Sequence, residues 1–368
     1  FDRMDWTGIE IVVVRTPHDP SGRNVAETVA YLEERRIPYA VEPRCKYDVL
    51  MSCIILDGSS VKRYAHRGTR LVRIMYSAAG KNYTYGADNG AYDLILTVGP
   101  YSEERLRDVA PCVSVGMPRY DALHGGRLDA AALKRAYGIG AGRPMLLYLP
   151  TWGAECSIDR YAEKIIGSAD RFEVVVKPHP LTCLRETHRL RFFSQTGVRL
   201  ITEDCSLVEL LAMADVVVSD YSGSLFEALA ADKRLLLLDL DAQTLGDSRL
   251  YEKEGPEHQY REVAPRVRGP EEYEVRLAEA LADAEPWPTR RRECAERFFA
   301  HRDGSSGEKA ARAMENFIGR HRLAMAFGRW RDRLESGPER LLDLYERCRP
   351  RIGLGRKLRR LLRGGARR

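Results

Sequence analysis

A chain of 368 residues with 44% hydrophobic content can bury a large core and is sized for two domains, which excludes a disordered chain. Its eight Cys form neither a CxxC pair nor a His/Cys cluster, which argues against a zinc site and a disulfide framework. No apolar run reaches the ~18 to 20 residues needed to cross a bilayer, and the formal charge of +6 is modest but uneven, since Arg349 to Arg368 holds many Arg and no acid.

With no signal-like amino terminus, these features set the expectation of a reducing, cytoplasmic setting, and Phe1 in place of Met that of a removed upstream segment. Residues 9–14 read as a buried strand, followed by the loop Thr16-Pro17-His18-Asp19-Pro20-Ser21-Gly22. A helix then runs through about Arg35 with Val25, Val29 and Leu32 on one face, and residues 39–41 form the next strand. This βαβ opening predicts a parallel sheet. Residues 49–56, 71–75 and 94–98 are further strands. After the last of them, Gly99-Pro100-Tyr101-Ser102 places Ser102 as the cap of a helix with Glu103 and Glu104 in its first turn. A short strand at 112–115 leads into Gly116-Met117-Pro118-Arg119-Tyr120-Asp121. Residues 124–143 are a polar connector with a helix at 129–137, so the expected domains are 1–125, 126–318 and a tail, 319–368.

In the second half, a strand at 145–149 ends at Pro150-Thr151-Trp152-Gly153, and one at 173–176 ends at Lys177-Pro178-His179-Pro180, with a helix at 160–167 between them. Residues 201–241 organise the rest: helix 206–214, strand 216–218, the turn Ser219-Asp220-Tyr221-Ser222-Gly223-Ser224, helix 225–229 and strand 235–238. Helices at 270–284 and 288–299 follow. Two successive β/α domains predict an α/β, GT-B-like fold: two Rossmann-like domains facing a central cleft, with a helical, basic carboxyl tail.

The turn after residue 218 joins a strand's carboxyl end to a helix amino terminus, where unpaired N–H groups and the helix dipole favour phosphate. Gly223 admits a ligand close to the backbone, and Ser222 and Ser224 offer hydroxyls. Glu227 or Asp220 is placed for a ribose hydroxyl; equally, Asp220 and Ser222 fit an ordinary helix cap. Thr151, Lys177, His179 and Ser206 stand at other strand-end loops and suit phosphate. Lys177 supplies a cation and His179 a ring donor toward a departing diphosphate oxygen.

The run Val174 to Pro180, residues 207–215 and Asp220-Tyr221-Ser222-Gly223-Ser224 together resemble the CDP-glycerol:poly(glycerophosphate) glycerophosphotransferase family of teichoic-acid and capsule polymerases. Gly116 to Asp121 is similar to that family's G-x-PR-x-D, Tyr148 to Trp152 to its Y-x-PT-[FW], and Asp303-Gly304-Ser305-Ser306 to its small polar closing element. The resemblance spans about residues 71–317. It implies a GT-B fold, a CDP-linked donor on the second domain, and transfer of glycerol phosphate or ribitol phosphate to a hydroxyl of a lipid-linked or polymeric glycan, with release of CMP.

One departure stands out. Where the family has W-HG-x-x-x-K, this chain reads Tyr76-Ser77-Ala78-Ala79-Gly80-Lys81, so Lys81 is kept while the family's proposed base, a His, falls on Tyr76. His18 or Asp19 in the first loop is the expected substitute, although both also fit a loop-and-cap pair. Tyr76, Ser77, Arg119 and Asp121 are expected on the acceptor side or at the hinge, where an ion pair is the competing reading. No acidic metal cluster stands out, and no cofactor is expected beyond the donor itself. In the tail, Leu323, Phe327, Trp330 and Leu334 recur at helical spacing, and beyond Pro350 Leu354, Leu358, Leu361 and Leu362 lie among Arg and Lys as in an amphipathic helix on an anionic membrane surface. That pattern predicts a peripheral position at the inner face of the cell membrane and no nucleic-acid partner. A nucleotide-sugar glycosyltransferase and a catalytically impaired nucleotide-binding homologue are the alternatives.

Overall fold

The computed structural model describes residues 11–13, 23–41, 46–56, 58–79, 84–194, 196–203, 205–241, 244–245 and 255–348. The chain divides into two compact units, one of residues 1–50, 56–71 and 320–368, the other of 51–55 and 72–319. The boundary expected near residue 125 falls inside the second unit.

In the first unit, β1 (Ile11–Val12) and β2 (Tyr39–Ala40) pair in parallel, joined by the helix Arg23–Glu34. Val13, Leu32 and Ile37 form a small core there. A long helix, Ser306–Cys348, crosses the chain at Gly68 backbone to backbone. A Cβ on Gly68 would lie 2.9 Å from the Ala324 carbonyl oxygen, and one on Gly328 would lie 2.3 Å from Gly68 Cα, so both positions demand glycine. Met325 is buried, whereas Leu323, Phe327 and Trp330 are exposed. The stretch beyond Pro350 lies outside the described residues.

A four-stranded sheet in the order β3 (Tyr47–Ser52), β4 (Ala65–Ile74), β5 (Leu94–Thr97), β6 (Cys112–Ser114) runs parallel from β4 to β6. The strand expected at 71–75 begins six residues earlier. Its polar start, Ala65 to Arg70, lacks an apolar signature but is pinned locally: His66 bonds Asp48 at 2.7 Å, and Thr69 donates to the Tyr47 carbonyl at 2.6 Å. Ser102 is not the cap expected of it. The helix is Pro100–Leu106, capped at Gly99 with Pro at its first position, and Ser102 lies inside it, buried against the Tyr85 hydroxyl.

The second sheet has six parallel strands: β7 (Met145–Leu149), β8 (Glu173–Val176), β9 (Arg199–Leu200), β10 (Val216–Ser219), β11 (Arg234–Leu238) and β12 (Arg266–Val267). Their order is β12-β11-β10-β7-β8-β9. Leu146, Tyr148, Val174, Val176, Val216, Val218 and Leu236 are buried with Ile158, Tyr161 and Ile165 from one helix and Tyr273 and Leu277 from another. Such unbroken apolar runs suit a sheet covered by helices. Strand order reverses between β7 and β10, and in open α/β sheets ligands are taken outside the carboxyl ends at that point. The fold is GT-B-like α/β.

Candidate functional site

The loops after β7 and β10 meet through Asp220. Its fully buried carboxylate accepts from the Thr151 amide at 2.9 Å, the Ser157 amide at 2.9 Å and the Ser157 hydroxyl at 2.7 Å. Burial lifts its pKa to about 6 against the opposing pull of those donors and of Arg261. Asp220 therefore locks two loop starts together, and its oxygens are committed to backbone and hydroxyl rather than to a ribose. Beside it, Ser219 Oγ and Ser224 Oγ are 2.8 Å apart and both donate to the Leu149 carbonyl, closing the seam between β7 and β10.

The turn itself is tight. Ser222 Oγ accepts from the Ser224 amide at 3.2 Å, opening the short helix Ser224–Ala230. A Cβ on Gly223 would come 2.9 Å from Ala79 Cβ, so the close approach that the glycine permits here is made by the chain's own loop. Tyr221 stacks on His258 with centroids 4.8 Å apart, and the Arg261 guanidinium lies 3.9 Å from the Tyr221 ring centre. Arg261 is buried and bonds Asp239 at 2.7 Å, the Leu238 carbonyl at 2.9 Å and the Asp220 carbonyl at 2.8 Å. Burial, with Arg261 alongside, lowers the His258 pKa to about 4. Asp239, His258 and Arg261 were not foreseen; His258 and Arg261 come from a segment about twenty residues beyond Asp239, and no motif links them to it.

At the end of β8, His179 caps the helix Pro180–Arg185, its Nδ1 accepting from the Leu181 amide at 3.1 Å. That bond places the proton of the neutral ring on Nε2. The ring stacks on Trp152 at 6.0 Å, which brings the loops after β7 and β8 together. Lys177 is half-buried and has no ion-pair partner among the described residues. Ser206 is an exposed helix cap, its Oγ accepting from the Glu209 amide.

Glu227 is not turned toward a ribose either. Arg119 Nη2 donates to both of its oxygens, at 2.5 and 2.6 Å, and to the Tyr76 carbonyl at 2.9 Å, while the buried Tyr120 hydroxyl bonds the same carboxylate. Although burial opposes its charge, Glu227 holds the Arg119 pKa above the usual value. The ion pair expected as the alternative role of Arg119 is present. Asp121 instead caps the long helix, accepting from the Ser306 amide at 3.0 Å and the Gly307 amide at 2.6 Å. Tyr76 is exposed, and Ser77 Oγ accepts from the Ala79 amide at 3.1 Å. His18, Asp19 and Lys81 lie outside the described residues.

A cavity of about 590 Å³ lined by Asp215, Asp232, Lys233 and Arg291 sits where β10 and β11 begin, at the opposite end of the sheet from these loops. Among the described residues, no group of His, Cys, Asp and Glu is arranged to hold a metal ion, and no helix is long and apolar enough to cross a membrane.

The carboxyl edge of this GT-B-like sheet carries Thr151 and the 222–224 turn at its reversal point and Lys177 and His179 one strand further along. Residues 86–316 match the model of the family described as CDP-Glycerol:Poly(glycerophosphate) glycerophosphotransferase. The chain belongs to that family. It is 30% identical over 155 residues to the teichoic acid glycerol-phosphate primase of Bacillus spizizenii strain W23, a match covering 41% of this chain and 38% of the relative, so it spans well under half of that protein's length. Among solved structures, the wall teichoic acid polymerase TagF is similar with a TM-score of 0.56 at 13% identity, over 74% of each chain. A variant of TagF soaked with CDPG is similar at 0.57 and 12% identity, over 84% of this chain and 88% of the other. At these identities the likeness is one of fold.

Proposed function

We propose that the chain transfers a polyol phosphate, glycerol phosphate or ribitol phosphate, from a CDP-activated donor to a hydroxyl of a lipid-linked or polymeric cell-surface glycan, releasing CMP. The observation that carries this reading is the collection of Thr151, Lys177, His179 and Ser222 to Ser224 on the carboxyl edge of one parallel sheet, flanking its reversal point, in a chain of this family. The acceptor hydroxyl attacks the outer phosphorus in line with the departing CMP. Lys177 Nζ and the Nε2 proton of His179 meet the charge that grows on the leaving phosphate. Trp152, half-buried and stacked on His179, flanks the site with a flat face suited to a base. Asp220, Arg261 and the Arg119–Glu227 pair hold the loops in place, so most of the catalysis comes from positioning. Residues 349–368, with their Arg and Leu, carry the chain to the inner face of an anionic membrane, where a lipid-linked acceptor resides.

Incubation with CDP-glycerol or CDP-ribitol and a polyanionic acceptor should release CMP and add one polyol phosphate to the acceptor by mass. Consumption of nucleotide sugars with neither CDP-polyol used would overturn the reading.

A further inference from the structure

A second cavity, about 260 Å³, lies in the other sheet's neighbourhood, beside the carboxyl end of β4. It is lined by Cys53, Ile54, Ile55, Arg73, Met75 and Tyr76, among others. Arg73 is 3% exposed, and its guanidinium is fixed from one side only: Nη1 donates to the Thr84 carbonyl at 2.8 Å and to Asn89 Oδ1. Asn89, wholly buried, is itself held by the carbonyls of Thr84 and Gly86. Nε is buried without a hydrogen-bond partner, and Nη2 has none among the described residues. Nε and Nη2 form the edge that takes two oxygens of a carboxylate or phosphate side by side. Among the described residues neither is met by an acid: Asp88, which lines the same cavity, is exposed and forms no ion pair with Arg73. Burial pulls the Arg73 pKa down, yet arginine stays charged. A buried cation without a counter-charge is costly, and among the described residues nothing occupies the bidentate edge of this one.

We propose that this cavity is an oxyanion subsite for the phosphate-bearing polyol end of the acceptor. The phosphate is held on the Nε/Nη2 edge of Arg73, and the polyol carbons lie against Ile54, Ile55 and Met75. The volume falls below the ~300 Å³ at which drug-sized ligand pockets begin, which suits a small headgroup and not a nucleotide. The identity of the ligand as acceptor rests on the transferase reading above; the binding of a small oxyanion does not.

Cys53 supplies a reporter, being free, exposed and part of the cavity wall. Its alkylation by iodoacetamide, followed by peptide mass spectrometry on the full chain, should slow with sn-glycerol 3-phosphate and with inorganic phosphate, and not with glycerol. Arg73→Lys, which loses the two-point edge, should weaken that protection about tenfold while CDP affinity stays unchanged. Should Arg73→Lys fail to fold, Ser77→Trp narrows the same cavity with Arg73 left intact and should abolish protection equally. Absence of protection by both phosphates in the folded chain would overturn the proposal. So would protection by CDP alone, which would assign the cavity to the donor. Failure of CDP-glycerol to bind, with glycerol phosphate protection preserved, would remove the donor reading and leave this subsite standing.

Discussion

The seam between β7 and β10 and the cavity beside β4 treat buried charge in opposite ways. At the seam, Asp220, Asp239 and Arg261 meet partners from the chain itself, and on the adjoining helix Glu227 is met by Arg119 and Tyr120. Beside β4, Arg73 is anchored through one nitrogen, while its Nε is buried without a hydrogen-bond partner and its Nη2 has none among the described residues. Matched charges build a rigid frame, whereas a half-matched one carries a cost, which the proposed oxyanion would relieve at Arg73. The seam thus owes its rigidity to its acids, and Lys177, His179 and the 222–224 turn are the groups proposed to contact phosphate.

The contrast is broken most sharply at Asp220. Asp220→Ala strands two amides and a hydroxyl in a buried seam and should cost about 4 kcal/mol in denaturant unfolding, since each unsatisfied buried group costs ~1 to 3 kcal/mol. A loss below 1 kcal/mol would show that the seam is held elsewhere. Next is a pH effect. The folded state holds the Asp220 proton more tightly than the unfolded chain does. The penalty for its charge is therefore absent below the ordinary value of 3.8 and fully present above about 6. Relative to D220N, the native chain should lose about 3 kcal/mol of stability as pH rises through that window; a flat difference would contradict the raised pKa.

Arg119→Ala removes the cation from a buried carboxylate but leaves the Tyr120 hydroxyl. Because Arg119 is itself 38% exposed, the cost should be about 2 kcal/mol, below the range for a fully buried pair. E227Q in the same background should recover part of that loss, and additive losses would deny the coupling. Smaller still, His179→Ala and Lys177→Ala should each weaken CDP binding about tenfold with unfolding midpoints little changed, as expected of ligand contacts and not of frame. Removal of residues 349–368 should abolish liposome binding and leave turnover on a soluble acceptor intact.

Much of the frame was legible in the sequence because strands buried on both faces leave unbroken apolar runs. Residues 145–149 and 173–176 fall where the strands lie, and 216–218 and 235–238 fall short by one residue each. The two-residue strands β9 and β12 carry no such run, and the start of β4 is specified by His66 and Thr69 bonding to neighbours, which no periodicity reports. At the site, residue types and strand-end positions pointed to phosphate at Lys177 and His179. The same rules could not distinguish a carboxylate facing a ligand from one spent on the fold. Asp220, Glu227 and Asp121 proved to be of the second kind, because their partners, Ser157, Arg119 and Ser306, come from distant segments. Arg73 passed unnoticed for the converse reason: an arginine in a strand looks ordinary until its partners are counted.

The central claim is that the carboxyl edge of the six-stranded sheet holds a CDP-linked donor through Lys177 and His179. Calorimetric titration of CDP-glycerol into the intact chain and into the Lys177→Ala/His179→Ala double variant tests it most directly. Saturable binding that weakens roughly a hundredfold in the folded double variant is the predicted result. Equal affinity in both chains would contradict it.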